Sequence, residues 1–260
     1  MKAIFEDKPT MFPEKGVDGR PLKPITRVLL DRRATSHFKP DPVPDEYVNA
    51  VLQFGTQAPS GYNLQPWRFI VVREKANRER LQKAAYNQEK VGEAPVMIIA
   101  FANKDEWKQY IDDVLLEGVR RGVGQAEAIP GIKKMASDFL EKGISQQVWV
   151  NRHTMIAFTS MMLVAEAYGL DTAPMEGFDP QEVGREFGLP DNAEVIALLA
   201  VGFAQEPDKA YAGRFCLSEV IHDEHYGRPW KNAGKKETET AKEGFEDIER
   251  RIIEPLKQPA

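Results

Sequence analysis

The sequence predicts an α/β or α+β domain built around a small sheet. Three observations carry that expectation. Apolar, β-rich runs recur at Phe69–Val72, Pro95–Phe101 and Ala193–Phe203. Stretches with helical spacing separate them, with no internal repeat or low-complexity tract. One long helical stretch, Ser145–Tyr168, carries Val148, Ile156, Met161, Met162, Leu163, Val164 and Ala165 around much of its circumference. A helix apolar on most faces is buried, centrally or in a subunit contact. Alternating strands and helices fold as packed layers, and a chain of 260 residues is long enough to bury a full core without staples.

The elements follow in order. Residues 1–24 carry Pro9, Pro13, Gly16, Gly19, Pro21 and Pro24, which predicts an irregular arm that wraps a surface or is partly mobile. Ile25 to Arg33 is helix-compatible, with Ile25, Val28 and Leu29 at i, i+3, i+4. Pro40, Pro42 and Pro44 make a turn before a helix over Asp45–Gln57. Ala58 to Val72, APSGYNLQPWRFIVV, is a polar loop feeding directly into a strand. Lys75–Tyr86 reads as a charged helix, and Pro95–Phe101 as a strand buried on both faces. Residues 103–143, interrupted by Gly118, Gly122, Gly124, Pro130 and Gly131, read as a helical lid between two core elements. Gly169 caps the long helix. Pro180–Phe187 reads as a short helix, and a charged helix is expected from about Thr238 to Leu256.

Composition excludes some classes of function. Hydrophobic content of 42% and charged content of 29% are those of an ordinary globular protein. A net charge of -5 argues against nucleic acid, whose binding needs clustered Lys and Arg. It leaves room for a local anion site. The one cysteine, Cys216, excludes an internal disulfide framework and is expected to be buried. Neither a basic-then-apolar leader nor an apolar run of about 18 residues is present, so a cytoplasmic, soluble protein is expected.

Several residue groups suit ligand chemistry. Arg32 and Arg33, followed by Thr35 and Ser36, suit a phosphate, because the guanidinium fork pairs with its oxygens bidentately. The same cations also suit capping of a helix C-terminus. Arg214 offers a third positive group. Asn87 and Lys90, three apart, suit the polar edge of a heterocycle, with Lys90 stabilising negative charge on it. Met175-Glu176-Gly177 after Pro174 is a turn where glycine lets backbone approach a flat ligand. A GxSxG elbow, a GxxxxGK[ST] loop and a complete dinucleotide fingerprint are all absent. His222-Asp223-Glu224-His225 is only faintly metal-like, and no metal is expected. His37 and His153 have no evident nucleophile partner in the sequence. Donors for a phosphorylated heterocycle without an acid–base or nucleophile set describe a protein whose cofactor carries the reaction.

These motifs, taken in order, resemble the FMN-dependent nitroreductase family over about residues 25–221. RRATSHF is similar to its phosphate motif, and APSGYNLQPWRFIVV to its Pro-Ser-x-x-Asn-x-Gln-Pro-Trp signature. YNQEKVGEAPVMII, QQVWVNRHTMIAF, APMEGFD and GRFCLSEVI are similar to further segments. The resemblance implies an α+β fold with a small mixed sheet, a long buried central helix and an intertwined homodimer holding FMN at its interface. Arg32, Arg33 and Arg214 would hold the phosphate, with Ala34 and Ser36 lining the site. Asn87 and Lys90 would meet the flavin's pyrimidine side. Pro174, Met175, Glu176 and Gly177 would place a backbone N–H near the flavin N5. Pro59, Ser60, Gly61 and Asn63 would come from the partner subunit, with Gln147 from the central helix. Ser36 and Ala212 stand where relatives carry lysine.

The resemblance also implies three parts: an arm at 1–24, a flavin domain at 25–230 with its lid at 103–143, and a helical extension at 231–260. The implied activity is a two-step cycle in which NAD(P)H reduces the flavin and a nitroaromatic or quinone reoxidises it. A reductive dehalogenase, an enoyl-type reductase and a non-catalytic flavin carrier remain open as alternatives.

Overall fold

The computed structural model describes residue 5 and residues 11–205 and 210–231. The expected helix at Thr238–Leu256 lies outside these residues. The chain divides into two compact units, residues 1–209 and 210–260.

In the first unit, α1 (Ile25–Asp31) and α2 (Asp45–Gly55) precede β1 (Trp67–Val72). Next come α3 (Lys75–Ala84), α4 (Glu89–Glu93) and β2 (Val96–Asn103), followed by α5 (Trp107–Arg120) and α6 (Ile129–Asp138). The long helix is α7 (Gln146–Ala167), then β3 (Asp171–Met175), α8 (Pro180–Glu186) and β4 (Ala193–Gly202). Among the described residues the sheet has four strands in the order β1-β2-β4-β3. All three pairings are antiparallel, a correction to the mixed sheet expected from the resemblance.

Two helical layers cover the sheet, and β2 shows why its sequence is apolar throughout. Val96, Ile98, Ala100 and Ala102 join a core with Val48, Trp149 and Phe158 on α2 and α7. The alternate residues Met97 and Ile99 join a second core with Leu81, Val91 and Val183 on α3, α4 and α8. Alternation of side chains along a strand makes this two-sided burial possible. The helix α7 is buried through Trp149, Ala157, Phe158 and Met161, yet Val148 and Ile156 remain about two-fifths exposed. Gly169 ends it at φ +78°, as a left-handed C-cap requires.

The described part of the arm is strapped to the end of α7. Val17 N–H donates to Tyr168 O at 2.9 Å and Lys23 N–H to Ala167 O at 3.1 Å. Lys23 Nζ reaches the buried Glu166 at 2.5 Å. Burial works against the Lys23 charge, but Glu166, Asp31 and Asp171 together hold that ammonium above its ordinary pKa.

The second unit contains α9 (Leu217–Val220) and a bridge between His222 and Pro229. Cys216 is exposed there, which corrects the expectation of burial. It precedes a four-residue helix with no buried side chain, so no core exists locally to take the thiol.

Candidate functional site

The phosphate-like segment is placed by the end of α1 and the start of β3. Arg32 is the C-cap of α1. Ala34 bridges Thr172 in parallel, and Thr35 N–H donates to Thr172 O at 3.0 Å. The two arginines then part roles. Arg33 Nη1 donates to Leu30 O at 2.7 Å and Arg32 O at 2.9 Å, which is the capping role. Arg32 Nη1 is buried and meets no acceptor among the described residues. The buried hydroxyls of Thr35 and Thr172 are also without hydrogen-bond partners there. A buried polar group left unsatisfied costs about 1–3 kcal/mol, which makes these three groups candidates for holding a polar ligand.

The remaining predicted residues on this side converge on the same edge of the sheet. Gln88 Nε2 donates to Gly177 O at 2.7 Å, and Asp179 N–H donates to Ala84 O at 2.8 Å. These bonds hold the Asn87–Lys90 stretch beside the Glu176–Gly177 turn at the end of β3. Phe38 N–H donates to Glu93 Oε2 at 3.1 Å, which ties the segment after Ser36 to α4. Asn87, Glu176 and Gly177 are exposed, Ser36, Lys90 and Pro174 half-buried, and Met175 buried beneath them. Tyr86 and Asn87 both have left-handed backbone, at φ 54° and 58°. Such strain in non-glycine residues concentrates at ligand sites.

The other predicted residues lie elsewhere. Pro59, Ser60, Gly61 and Asn63 precede β1, where Ser60 Oγ accepts the Gln65 N–H at 2.9 Å. Tyr62, Asn63 and Gln65 are left-handed, at φ 53°, 57° and 42°. A Cβ on Gly61 would lie 3.3 Å from Trp149 Nε1 and 3.5 Å from His153 Nε2, so the loop rests on α7. Gln147 Nε2 donates to Glu194 Oε1 at 2.7 Å at the start of β4.

The strand register separates these two groups. Trp67 aligns through Ala102 with Glu194, whereas Thr172 pairs with Val201 and Asp171 with Gly202. The β1 loop and the Arg32 segment therefore sit at opposite edges and opposite ends of the sheet. At about 4.8 Å per strand and about 3.4 Å per residue, they are roughly 14 Å apart across it and roughly 27 Å along it.

A cleft of about 940 Å³ opens beside the β1 loop. Tyr62, Asn63 and Gln65 line one side, and Val114, Glu117 and Arg121 of the expected lid line another. Glu117 is buried. Hydrogen bonds from Arg120 and Arg121, at 2.6 and 2.5 Å, hold its pKa down at about 2. Arg214 belongs to the second unit, where its guanidinium lies 5.7 Å from the Tyr211 ring centre. His222 packs edge-on to Tyr226 with ring centres 4.6 Å apart.

The model of the Nitroreductase family matches residues 29–203. An NADH dehydrogenase of Thermus thermophilus is 35% identical over 188 residues, covering 72% of this chain and 89% of that protein. The chain belongs to the nitroreductase family. A Staphylococcus epidermidis relative assigned as an NAD(P)H nitroreductase is 32% identical over 206 residues, covering 72% of this chain and 92% of its own. A nitroreductase-fold protein from Exiguobacterium sibiricum, solved in complex with FMN, superposes with a TM-score of 0.68. It covers 76% of this chain and 96% of its own at 22% identity. Among the described residues, no helix is long and apolar enough to cross a membrane.

Sequence reasoning missed Thr172, Gln88 and the pairing of His37 with Glu93. Gln88 and Gly177 lie 89 positions apart and His37 and Glu93 lie 56 apart, so neither contact leaves a local pattern. Gln88 does adjoin Asn87, and Thr35 adjoins the arginine pair; those neighbours were the available signal.

Proposed function

We propose that this chain is an FMN-dependent oxidoreductase that takes electrons from NAD(P)H and passes them to a nitroaromatic, a quinone or a related small acceptor. The observation that carries the reading is the buried Arg32 Nη1, with the Thr35 and Thr172 hydroxyls, left without partners beside β3. That donor set fits a phosphate, and the exposed Asn87 and half-buried Lys90 fit the polar heterocycle that a phosphorylated flavin carries.

Arg32 would neutralise the phosphate, with Arg33 and Arg214 adding charge and Ala34 and Ser36 lining the pocket. Lys90 would stabilise negative charge on the pyrimidine edge, and Asn87 would hydrogen-bond it. Pro174 and Met175 would set the turn from which Glu176 and Gly177 present backbone to the ring. The bound flavin supplies the two-electron chemistry, hydride uptake from NAD(P)H and delivery to the acceptor in two half-reactions. The protein's share is fixed positive charge and a shaped cleft rather than acid–base work.

The working form would be a homodimer. One chain's β1 loop lies across the sheet from its own Arg32 segment, so Pro59, Ser60, Gly61, Asn63 and Gln147 would serve the partner's flavin. The exposed Val148 and Ile156 of α7 give that contact an apolar face. Residues 103–143 would shape the acceptor site, the arm at 1–24 would strap α7 through its described part, and 25–230 would form the flavin-binding part ahead of an extension at 231–260.

The test is FMN titration of the purified chain, then anaerobic addition of NADH or NADPH and an acceptor panel. The reading predicts bound FMN whose visible absorbance bleaches with nicotinamide and returns with a nitroaromatic or quinone. Failure to bind FMN ends it; binding without acceptor-dependent turnover leaves a flavin carrier.

A further inference from the structure

We propose that His37, Glu89 and Glu93 form a binding site for a divalent transition cation, with Zn²⁺ as the fitting probe. His37 Nδ1 lies 3.3 Å from Glu93 Oε1 and 3.8 Å from Glu89 Oε2. The three ligand atoms all lie within 4.8 Å of one another. A tetrahedral zinc ion with ligands at about 2.0–2.2 Å sets neighbouring ligand atoms roughly 3.4 Å apart. The two distances to the imidazole nitrogen, 3.3 and 3.8 Å, are close to that edge length, and the two carboxylates lie within 4.8 Å of each other, so side-chain adjustment would close them on the ion.

Two features hold the ligands in place. Glu93 Oε2 accepts the Phe38 N–H at 3.1 Å, one residue beyond His37, which turns Glu93 Oε1 towards the imidazole. Glu89 and Glu93 are one turn apart on α4 and so share a face.

Charge supplies an independent reason. Among the described residues, His37 is the one cationic partner within salt-bridge distance of either carboxylate. One imidazole serves two carboxylates, so the group carries net negative charge whether or not the ring is protonated. A divalent cation complements that charge, and a nitrogen donor with two carboxylates selects zinc, nickel or cobalt over magnesium or calcium, which prefer more oxygen ligands. Three protein ligands leave a fourth position for water. The ion would join the segment after Ser36 to α4, clipping together the two stretches assigned above to opposite ends of the flavin. The site itself does not depend on flavin binding.

Isothermal titration of the chelator-stripped, FMN-free full chain with ZnCl₂ tests this, with MgCl₂ as the control ion. The expected result is one Zn²⁺ per chain, weakened about tenfold or more in His37→Ala and in Glu93→Gln. Zn²⁺ should raise the melting temperature of the parent chain and leave that of His37→Ala unmoved. The chain has four histidines. If His37→Ala takes up Zn²⁺ as tightly as the parent, the ion sits at another histidine and the proposal is overturned. Absence of uptake by the parent overturns it equally. Glu89→Gln, an exposed change, decides the matter if His37→Ala does not fold.

Discussion

Arg32 and Glu117 are charged side chains with opposite local situations, and each yields a prediction. Arg32 carries a buried Nη1 with no acceptor among the described residues, which in the proposed site would face the flavin phosphate. Arg32→Ala should weaken FMN binding by roughly 10- to 100-fold, since hydrogen bonds to charged groups are worth about 1.5–3 kcal/mol. Its urea midpoint should hardly fall. Fluorescence titration of FMN and an unfolding curve check the two halves. Arg32→Lys should recover only part of the affinity, because a point charge does not reproduce the planar fork.

Glu117, in contrast, is satisfied internally, and the two arginines hold its pKa at about 2 against an ordinary value of 4.5. A depressed carboxylate stabilises the fold fully above its unfolded pKa and loses that contribution as pH falls through the folded one. The stability gap between the parent and Glu117→Gln should therefore be constant from pH 7 to about 5 and shrink as pH falls from about 4.5 towards 2. Melting temperatures across that range read it directly. The sequence showed Arg32 and Arg33 as a pair but not which one caps α1, because that depends on where each guanidinium lands after folding.

At the scale of elements, the packing of α2 on α7 is set by one glycine. A Cβ on Gly55 would lie 2.2 Å from Met161 Cγ and 3.4 Å from Ala157 O. Gly55→Ala gains helix propensity, yet overpacking should win, lowering stability by about 1–3 kcal/mol in urea unfolding. Gly55→Ala with Met161→Ala should cost less than the sum of the two single changes, because the new methyl fills part of the space that Met161 leaves. The longer helices and three of the four strands are readable from spacing, since α7, β2 and β4 have long apolar patterns that no loop would carry, while the five-residue α4 and four-residue α9 are too short to show a period. The strand β3 is not readable. Its sequence, Asp171-Thr172-Ala173-Pro174-Met175, contains a proline and an aspartate that β-structure disfavours. It is tolerated because β3 is an edge strand, where a missing N–H costs no ladder bond. The turn at Glu176–Gly177 was read correctly as a turn, but the strand that aims it was invisible.

At the scale of the whole molecule, the sheet itself divides the candidate site. The register puts the β1 loop at one corner and the Arg32 segment at the diagonal corner, so one chain does not bring the Pro59–Asn63 loop to its own Arg32. The candidate residues of both groups are legible in the sequence, while their separation follows from strand order, which periodicity does not encode. The central claim is that a complete flavin site takes Arg32, Asn87 and Gly177 from one chain and the Pro59–Asn63 loop from another. Subunit mixing tests it most directly. Arg32→Ala and a loop variant such as Asn63→Ala with Ser60→Ala, each impaired in FMN binding alone, are combined under conditions that exchange subunits. Random pairing makes about half the dimers hybrid, each with one intact and one doubly altered site, so FMN titration should recover tight binding at about one site in four. Recovery at that level is the predicted result. No recovery after exchange has been verified would contradict the account and place the whole flavin site within a single chain.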